Sequence, residues 1–330
     1  MTNRIVVCSL GSIGRRHLYC LRRYWPSIAT AVLRSGRGHV RNEDSLVEPQ
    51  FTSISDAIAW KPDAAIIASP ATVHLSQALA FARSNIPVLI EKPVGTGSEL
   101  NSDWQELDAY ASSGLPILVG YVLRYDQAFS WIQSQLANGW LGQLVEVDAQ
   151  CGSWLPGWRV NTDYRNSVSA RSELGGGVLL ELSHELDLLL ALLGPIRLQS
   201  SLLRRTGLLD IDVEDHAILA GIAHEGVPVT MRLNFCSQPS KRLICFRGSA
   251  GELNWDLVAG TVALKSASDS ESAVQALGLS ADERYRRQLE HFLDCCAGRA
   301  QPLCSLADGL AALDLVKAAR VLHATTMPLI

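Results

Sequence analysis

The chain has no C-x-x-C pair among its 8 cysteines, so a structural zinc site has no ligand frame. Its 8 histidines show no metal-ligand spacing either, and metal-independent chemistry is expected. The cysteines at 8, 20, 151, 236, 245, 295, 296 and 304 are scattered. That suits a reducing cytosol, with thiols used as small apolar residues, and the adjacent Cys295 and Cys296 read as packing. Charge of one sign is also missing: 29 Lys and Arg face 33 Asp and Glu, for a net charge of −4. A mildly acidic chain lacks the basic surface needed to neutralise nucleic acid or to bind an anionic membrane. The most apolar stretch, around Leu186 to Leu193, is too short and interrupted to span a bilayer. No charged leader with a cleavage site precedes the strand-like run at Met1 to Leu10, so a cytoplasmic protein is expected. Internal repeats and low-complexity tracts are absent.

What is there is ordinary globular material, 48% hydrophobic and 19% charged, which excludes a disordered chain. At about 150 residues per domain, 330 residues suggest two domains. Arg4 to Cys8 is a short β-branched run, Ser9 to Gly14 a glycine turn, and Arg15 to Tyr24 an amphipathic helix. Strands at Ile28–Leu33, Ala64–Ala68, Pro87–Ile90 and Pro116–Val119 alternate with helices at Asp56–Trp60, Thr72–Ser84 and from Ser98 to Ala111. Ser55 and Ser98 are candidate helix caps. This alternation predicts βαβ units and a doubly wound parallel sheet, its strands apolar because helices cover both faces. The alternation stops near Tyr121. Beyond it Leu144–Ala149, Ala217–Ala223, Val227–Phe235, Arg242–Phe246 and Thr261–Leu264 read as strands without intervening helices, hence a mostly antiparallel sheet. One long helix is expected from about Gly177 to Leu193, stopped by Gly194-Pro195, with two more at Glu283–Cys296 and Ala307–His323. The expected division is 1–121 and 122–330.

The dinucleotide fingerprint G-x-G-x-x-G needs a tight turn, close backbone approach to pyrophosphate and close helix packing. Here Ser9 replaces the first glycine, while Gly11 and Gly14 stay in register around Ser12 and Ile13. The pyrophosphate would rest on amides at the following helix N-terminus. A site for NAD commonly carries an acid about 20 residues further on. The chain instead has Leu33-Arg34-Ser35-Gly36-Arg37. Arg34, Ser35 and Arg37 suit a 2′-phosphate, so NADP is expected with NAD as the alternative; a solvated turn is the other reading of these arginines.

These residues resemble the glucose–fructose oxidoreductase/inositol dehydrogenase (Gfo/Idh/MocA) family of nicotinamide-dependent oxidoreductases. The marks are Gly11-x-x-Gly14-x-x-His17, Ser69-Pro70-Ala71-Thr72-Val73-His74, Glu91-Lys92-Pro93, Gly120 to Tyr125, and Gly175-Gly176-Gly177 leading to His184 and Asp187. The stretch from Asp163-Tyr164-Arg165 through Ser169-Ala170-Arg171 to Leu182–Asp187 is similar to a branch associated with bacterial surface-sugar biosynthesis. The resemblance implies an N-terminal Rossmann domain, a C-terminal α/β domain with an open, mostly antiparallel sheet, and homodimers or homotetramers. It implies hydride transfer at a carbinol carbon of a sugar or cyclitol.

The resemblance makes Lys92 a catalytic residue. At the end of a strand, its ammonium can donate to the substrate oxygen and stabilise developing negative charge, and Pro93 restricts its backbone. His184 is the candidate acid–base. Glu181 three residues before it and Asp187 three after would share a helix face with it and raise its basicity. The family pattern is Asp-x-x-x-His; here the spacing is Glu181-x-x-His184, which leaves open whether Glu181 or Asp187 orients the imidazole. Ser69, Pro70, His74, Glu91 and Lys92 are expected at the cofactor, whereas His17 packs or caps. Arg124, Trp158, Arg159, Tyr164, Arg165 and Arg171 are candidate substrate residues, with Asp187 beside them. Arginines clustered in an acidic protein suggest an anionic sugar-type substrate, a nucleotide sugar or a sugar acid; a solvated loop is the alternative. Rival functions are an NAD-dependent cyclitol or free-sugar dehydrogenase, a non-catalytic dinucleotide-sensing regulator, and a redox glycosidase.

Overall fold

A computed structural model describes residues 2–36, 49–159, 162–268 and 271–326. The chain begins β1 (Arg4–Cys8), α1 (Ser12–Tyr24), β2 (Ala29–Leu33), β3 (Gln50–Phe51), α2 (Ile54–Ala59), β4 (Ala64–Ile67), α3 (His74–Ala82), β5 (Val88–Ile90), α4 (Asn101–Ser112) and β6 (Ile117–Val119). It continues through α5 (Gln127–Ala137), β7 (Leu144–Gly152), α6 (Val178–Glu181), α7 (His184–Leu193), β8 (Arg197–Arg204), β9 (His216–Ile222) and β10 (Pro228–Asn234). It ends with β11 (Lys241–Gly248), β12 (Gly251–Asp256), β13 (Thr261–Ser266), β14 (Ala273–Ala276), α8 (Ala281–Cys296) and α9 (Leu306–Thr326). Two compact units result, one of residues 1–125 with 280–310, the other of 126–279 with 311–330. The expected division was contiguous, whereas the first unit takes back α8 and the start of α9.

In the first unit six parallel strands lie in the order β3-β2-β1-β4-β5-β6. The inner strands are apolar throughout, because both faces are covered. One core cluster joins Ile5, Val7, Ile66, Leu89 and Leu118 of the sheet to Cys20 and Leu21 of α1 and to Tyr285, Leu289 and Phe292 of α8. Burial pushes the Cys20 and Cys295 thiols up to about 11, in keeping with cysteines used as packing groups. Two expected caps are corrected. Ser53, not Ser55, caps α2 by accepting from Asp56 N at 3.1 Å. Ser98 does not cap α4, which starts only at Asn101. There the Glu99 carboxylate accepts from Thr96 N at 2.5 Å and Gly97 N at 2.8 Å, and so turns the chain before the helix can begin.

The second unit holds an eight-stranded sheet ordered β14-β13-β12-β11-β7-β10-β9-β8. Its pairs are antiparallel except β7 with β10, which run parallel. Burial alternates along β7 and β9, as a sheet buried mainly on one face requires. The single long helix expected from Gly177 is also corrected. It is two helices, α6 and α7, broken at Leu182–Ser183. Gly194, with φ of +79°, ends α7 as anticipated. No described helix is long and apolar enough to cross a membrane.

Candidate active site

The turn after β1 is built for close approach. Ser9 has a φ of +79°, a region that glycine enters without strain. A Cβ on Gly14 would stand 2.1 Å from the Ser9 carbonyl oxygen, so only glycine lets α1 pack this near the strand end. Over Gly11 a Cβ would meet nothing nearer than Ser9 Oγ at 3.9 Å. No side chain caps α1, and no acid occupies its first turn. Open space above uncapped amides, free of negative charge, fits a dinucleotide pyrophosphate. Ser12 and Ile13 begin α1, and Ile13 packs on the core. Arg34 follows β2 and is half-buried, while Ser35 is exposed. Arg34 Nη1 lies 3.5 Å from Gln50 Oε1. Arg37 lies outside the described residues.

The Glu91-Lys92-Pro93 segment leaves β5 at the carboxyl end of the sheet, and the Lys92–Pro93 peptide is cis. Lys92 is half-buried. Glu91 is turned inward: Oε1 pairs with His17 Nε2 at 2.7 Å, and Oε2 accepts from Lys92 N at 3.2 Å. His17 is wholly buried and stands edge-on to Tyr285, ring centroids 5.1 Å apart. His74 is also buried, with Nδ1 2.9 Å from Pro93 O and Nε2 2.7 Å from Ser69 O. Ser69 Oγ donates to Gln77 Oε1 at 2.5 Å. Glu91 and His74, both expected at the cofactor, each hold protein groups of the loops around Lys92. The sequence marks His17, Glu91 and His74 by motif, but not that Glu91 pairs with a residue 74 positions away.

In the second unit the glycine run has a packing reason. A Cβ on Gly176 would lie 2.4–2.8 Å from the carbonyl oxygens of Val168, Ser169 and Arg171. Gly177 leads into α6, whose first amides meet Glu214: Val178 N donates to Glu214 O at 2.9 Å and Leu179 N reaches Oε1 at 3.4 Å. Burial pushes the Glu214 carboxyl up from its ordinary range. Sequence reading missed Glu214, although the acidic pair Glu214-Asp215 before β9 was a signal. Glu181 ends α6 and accepts from Ser169 Oγ at 2.8 Å. His184 begins α7 and is half-buried. The break between them removes the shared helix face expected for Glu181 and His184. Glu185 beside His184 is fully buried and accepts from Arg242 Nε at 2.6 Å, which seats α7 on β11. Asp187, on α7, is 0% exposed.

Of the expected substrate residues, Trp158, Arg159 and Tyr164 line one small pocket with Leu155 and Ser167. Trp158 Nε1 donates to Ser153 Oγ at 2.6 Å, and its ring stands edge-on to Phe235. Arg165 is paired instead with Asp163, Nη2 to Oδ2 at 2.8 Å, which holds that carboxyl below its ordinary range. Arg171 donates to Arg165 O at 2.9 Å and lies 3.7 Å from Glu173. Much of the positive charge read from the sequence is thus compensated within the loop. Arg124 lies apart, in the first unit, 7% exposed and donating to Leu303 O at 3.0 Å, with Asp308 at 3.4 Å. These contacts tie the segment before and at the start of α9 to the end of β6.

Residues 3–121 match the oxidoreductase family with an NAD-binding Rossmann fold, and residues 129–254 match the GFO/IDH/MocA C-terminal domain. The chain belongs to the Gfo/Idh/MocA oxidoreductase family. This makes it an oxidoreductase with an NAD-binding Rossmann domain. Among Gfo/Idh/MocA relatives it is 25% identical over 300 residues to 1,5-anhydro-D-fructose reductase of Ensifer adhaerens, covering 86% of this chain and 85% of the relative. It is 27% identical over 244 residues to inositol 2-dehydrogenase 2 of Saccharopolyspora erythraea, covering 71% and 67%. The fold is similar to the WlbA dehydrogenase from Bordetella pertussis in complex with NADH and UDP-GlcNAcA, with a TM-score of 0.80, 18% identity and coverage of 100% and 99%.

Proposed function

We propose that the chain is an NADP-dependent oxidoreductase that moves a hydride to or from a carbinol or carbonyl carbon of a nucleotide sugar, sugar acid or related sugar. The observation that carries the cofactor choice is the end of β2, where Arg34 and Ser35 stand in place of an acid. An acid there would bond a ribose 2′-hydroxyl, whereas a guanidinium favours a 2′-phosphate. When bound, the nicotinamide supplies or accepts the hydride. Lys92 holds a hydrogen bond on the substrate oxygen and stabilises the charge that builds there. His184 accepts the hydroxyl proton in oxidation and returns it in reduction. The pocket of Trp158, Arg159 and Tyr164 offers a stacking ring and a cation to the anionic part of the substrate. Homodimers or homotetramers in the cytoplasm complete the proposal.

The experiment is a panel of nucleotide sugars and sugar acids read by NADPH absorbance, with fluorescence titration of both cofactors. NADPH is expected to bind more tightly than NADH, and Arg34→Ala to weaken NADPH alone by about 10- to 100-fold, the size of a lost charge-assisted pair. Tighter NADH binding would reverse the cofactor choice and favour the cyclitol or free-sugar dehydrogenase. Lys92→Ala is expected to lower kcat by about 10²- to 10³-fold with NADPH affinity little changed. Tight cofactor binding with no turnover of any substrate would favour a dinucleotide sensor.

A further inference from the structure

We propose that His74 is a positioning residue, whose ring ties the loop after β4 to the loop that carries Lys92 through the Ser69 and Pro93 carbonyl oxygens. The inference rests on the reading of Lys92 as donor to the substrate oxygen. His74 opens α3 and is 1% exposed. Its two nitrogens lie 2.7 Å and 2.9 Å from carbonyl oxygens on two different loops. A carbonyl oxygen only accepts. Both contacts are favourable together only when both nitrogens donate, which requires the doubly protonated ring. Burial is the largest influence and holds the ring below its ordinary range against the pull of the two carbonyls and Glu91, so the neutral ring is the form that makes the tie. The neutral ring donates on one side only; with its proton on Nδ1 it keeps the bond to Pro93 O, which joins α3 to the loop that carries Lys92.

The placement is what gives the tie its meaning. A histidine that merely filled space would need neither carbonyl, yet this ring has one on each side. The Ser69 loop is itself anchored to α3 through Gln77. Pro93 directly follows Lys92, so the carbonyl held by the ring is one residue from the ammonium-bearing one. Glu91 on the other side is fixed by His17. Lys92 thus sits between two restrained neighbours, and an ångström of slack at Pro93 displaces Nζ by a comparable distance. Displacements of that size cost about 10²-fold in rate.

Two substitutions test this in the full chain. His74→Phe keeps a ring and removes both donors; His74→Gln keeps a donor and carries the test if the first variant does not fold. Hydrogen exchange read by mass spectrometry needs neither cofactor nor substrate. The segment 91–96 is expected to exchange at least about tenfold faster in His74→Phe, and less so in His74→Gln, with β1 and β4 unchanged. With the substrate found in the panel, kcat is expected to fall about 10- to 100-fold while the KM for NADPH moves less than about threefold. In a Lys92→Ala background the same substitution is expected to cost less than about twofold, because both act through one group. Faster exchange across the whole first unit, or equal kcat losses with and without Lys92, overturns the proposal in favour of packing. Full turnover by Lys92→Ala alone overturns the reading of Lys92 itself, and the positioning role falls with it.

Discussion

Ser9 holds a backbone conformation that costs a non-glycine residue about 1–2 kcal/mol. Its hydroxyl returns part of this by accepting from Gly11 N at 3.3 Å, a long and weak bond. Ser9→Gly is therefore expected to raise stability by about 0.5–1 kcal/mol, or roughly 1–4 °C in Tm for a unit of this size. Differential scanning calorimetry decides it, and a fall in Tm would mean that the hydroxyl contributes more than the strain costs. At this scale the candidate site was half legible. The space at Gly11 and the close packing at Gly14 were written in residue type and order, as was the place of Lys92 just past β5. The inward turn of Glu91 was hidden, because its partner His17 lies on another element and no local pattern encodes that pairing. The same holds for Glu214 against the first amides of α6.

Among the elements, α8 shows how a helix start is written in sequence and titrates as written. Ser280 Oγ accepts from Glu283 N at 3.2 Å, and Glu283 pairs with Arg286 at 2.8 Å and Arg287 at 3.3 Å. These bonds hold the Glu283 carboxyl down at about 2. A depressed folded-state pKa stabilises above the unfolded value near 4.5 and loses that contribution as pH falls toward 2. The pairs lie at the surface and are screened by solvent, so the effect is small. Glu283→Gln is expected to lower Tm at pH 7 and to do so by less at pH 3; an equal deficit at both would contradict the pairing.

The inner parallel strands were legible because burial on both faces demands unbroken apolar runs such as Ala64–Ile67, whereas the two-residue edge strand β3 was not. Strand β8 was not: its pattern of four exposed and two buried residues in eight mixes polar and apolar types like a loop. Strand β14 is exposed throughout and leaves no hydrophobic signal. The break at Leu182–Ser183 was masked by the leucines on both sides, which satisfy a continuous helix equally well.

For the whole molecule, the consequence of a discontinuous first unit is that residues 1–125 contain only part of their own core. Leu289 and Phe292 are fully buried against Ile5, Val7 and Leu89, and each is worth about 1.5–3 kcal/mol of burial. A fragment of residues 1–125 is expected to lack a cooperative melting transition. Joining 280–310 to it through a flexible linker is expected to restore one, together with NADPH binding. A cooperative melt from 1–125 alone would show that α8 is dispensable. The net charge of −4 gave no hint of this arrangement, since charge describes the surface and the return of α8 is a matter of core.

That return also sets a timetable for synthesis. Chains grow from the N-terminus at roughly 5–20 residues per second. The first sheet emerges early, but its covering helix begins only at Ala281, after all of residues 126–279. For roughly 10–30 seconds the nascent Rossmann sheet offers the ribosome exit and its chaperones an apolar face that only the end of the chain can close.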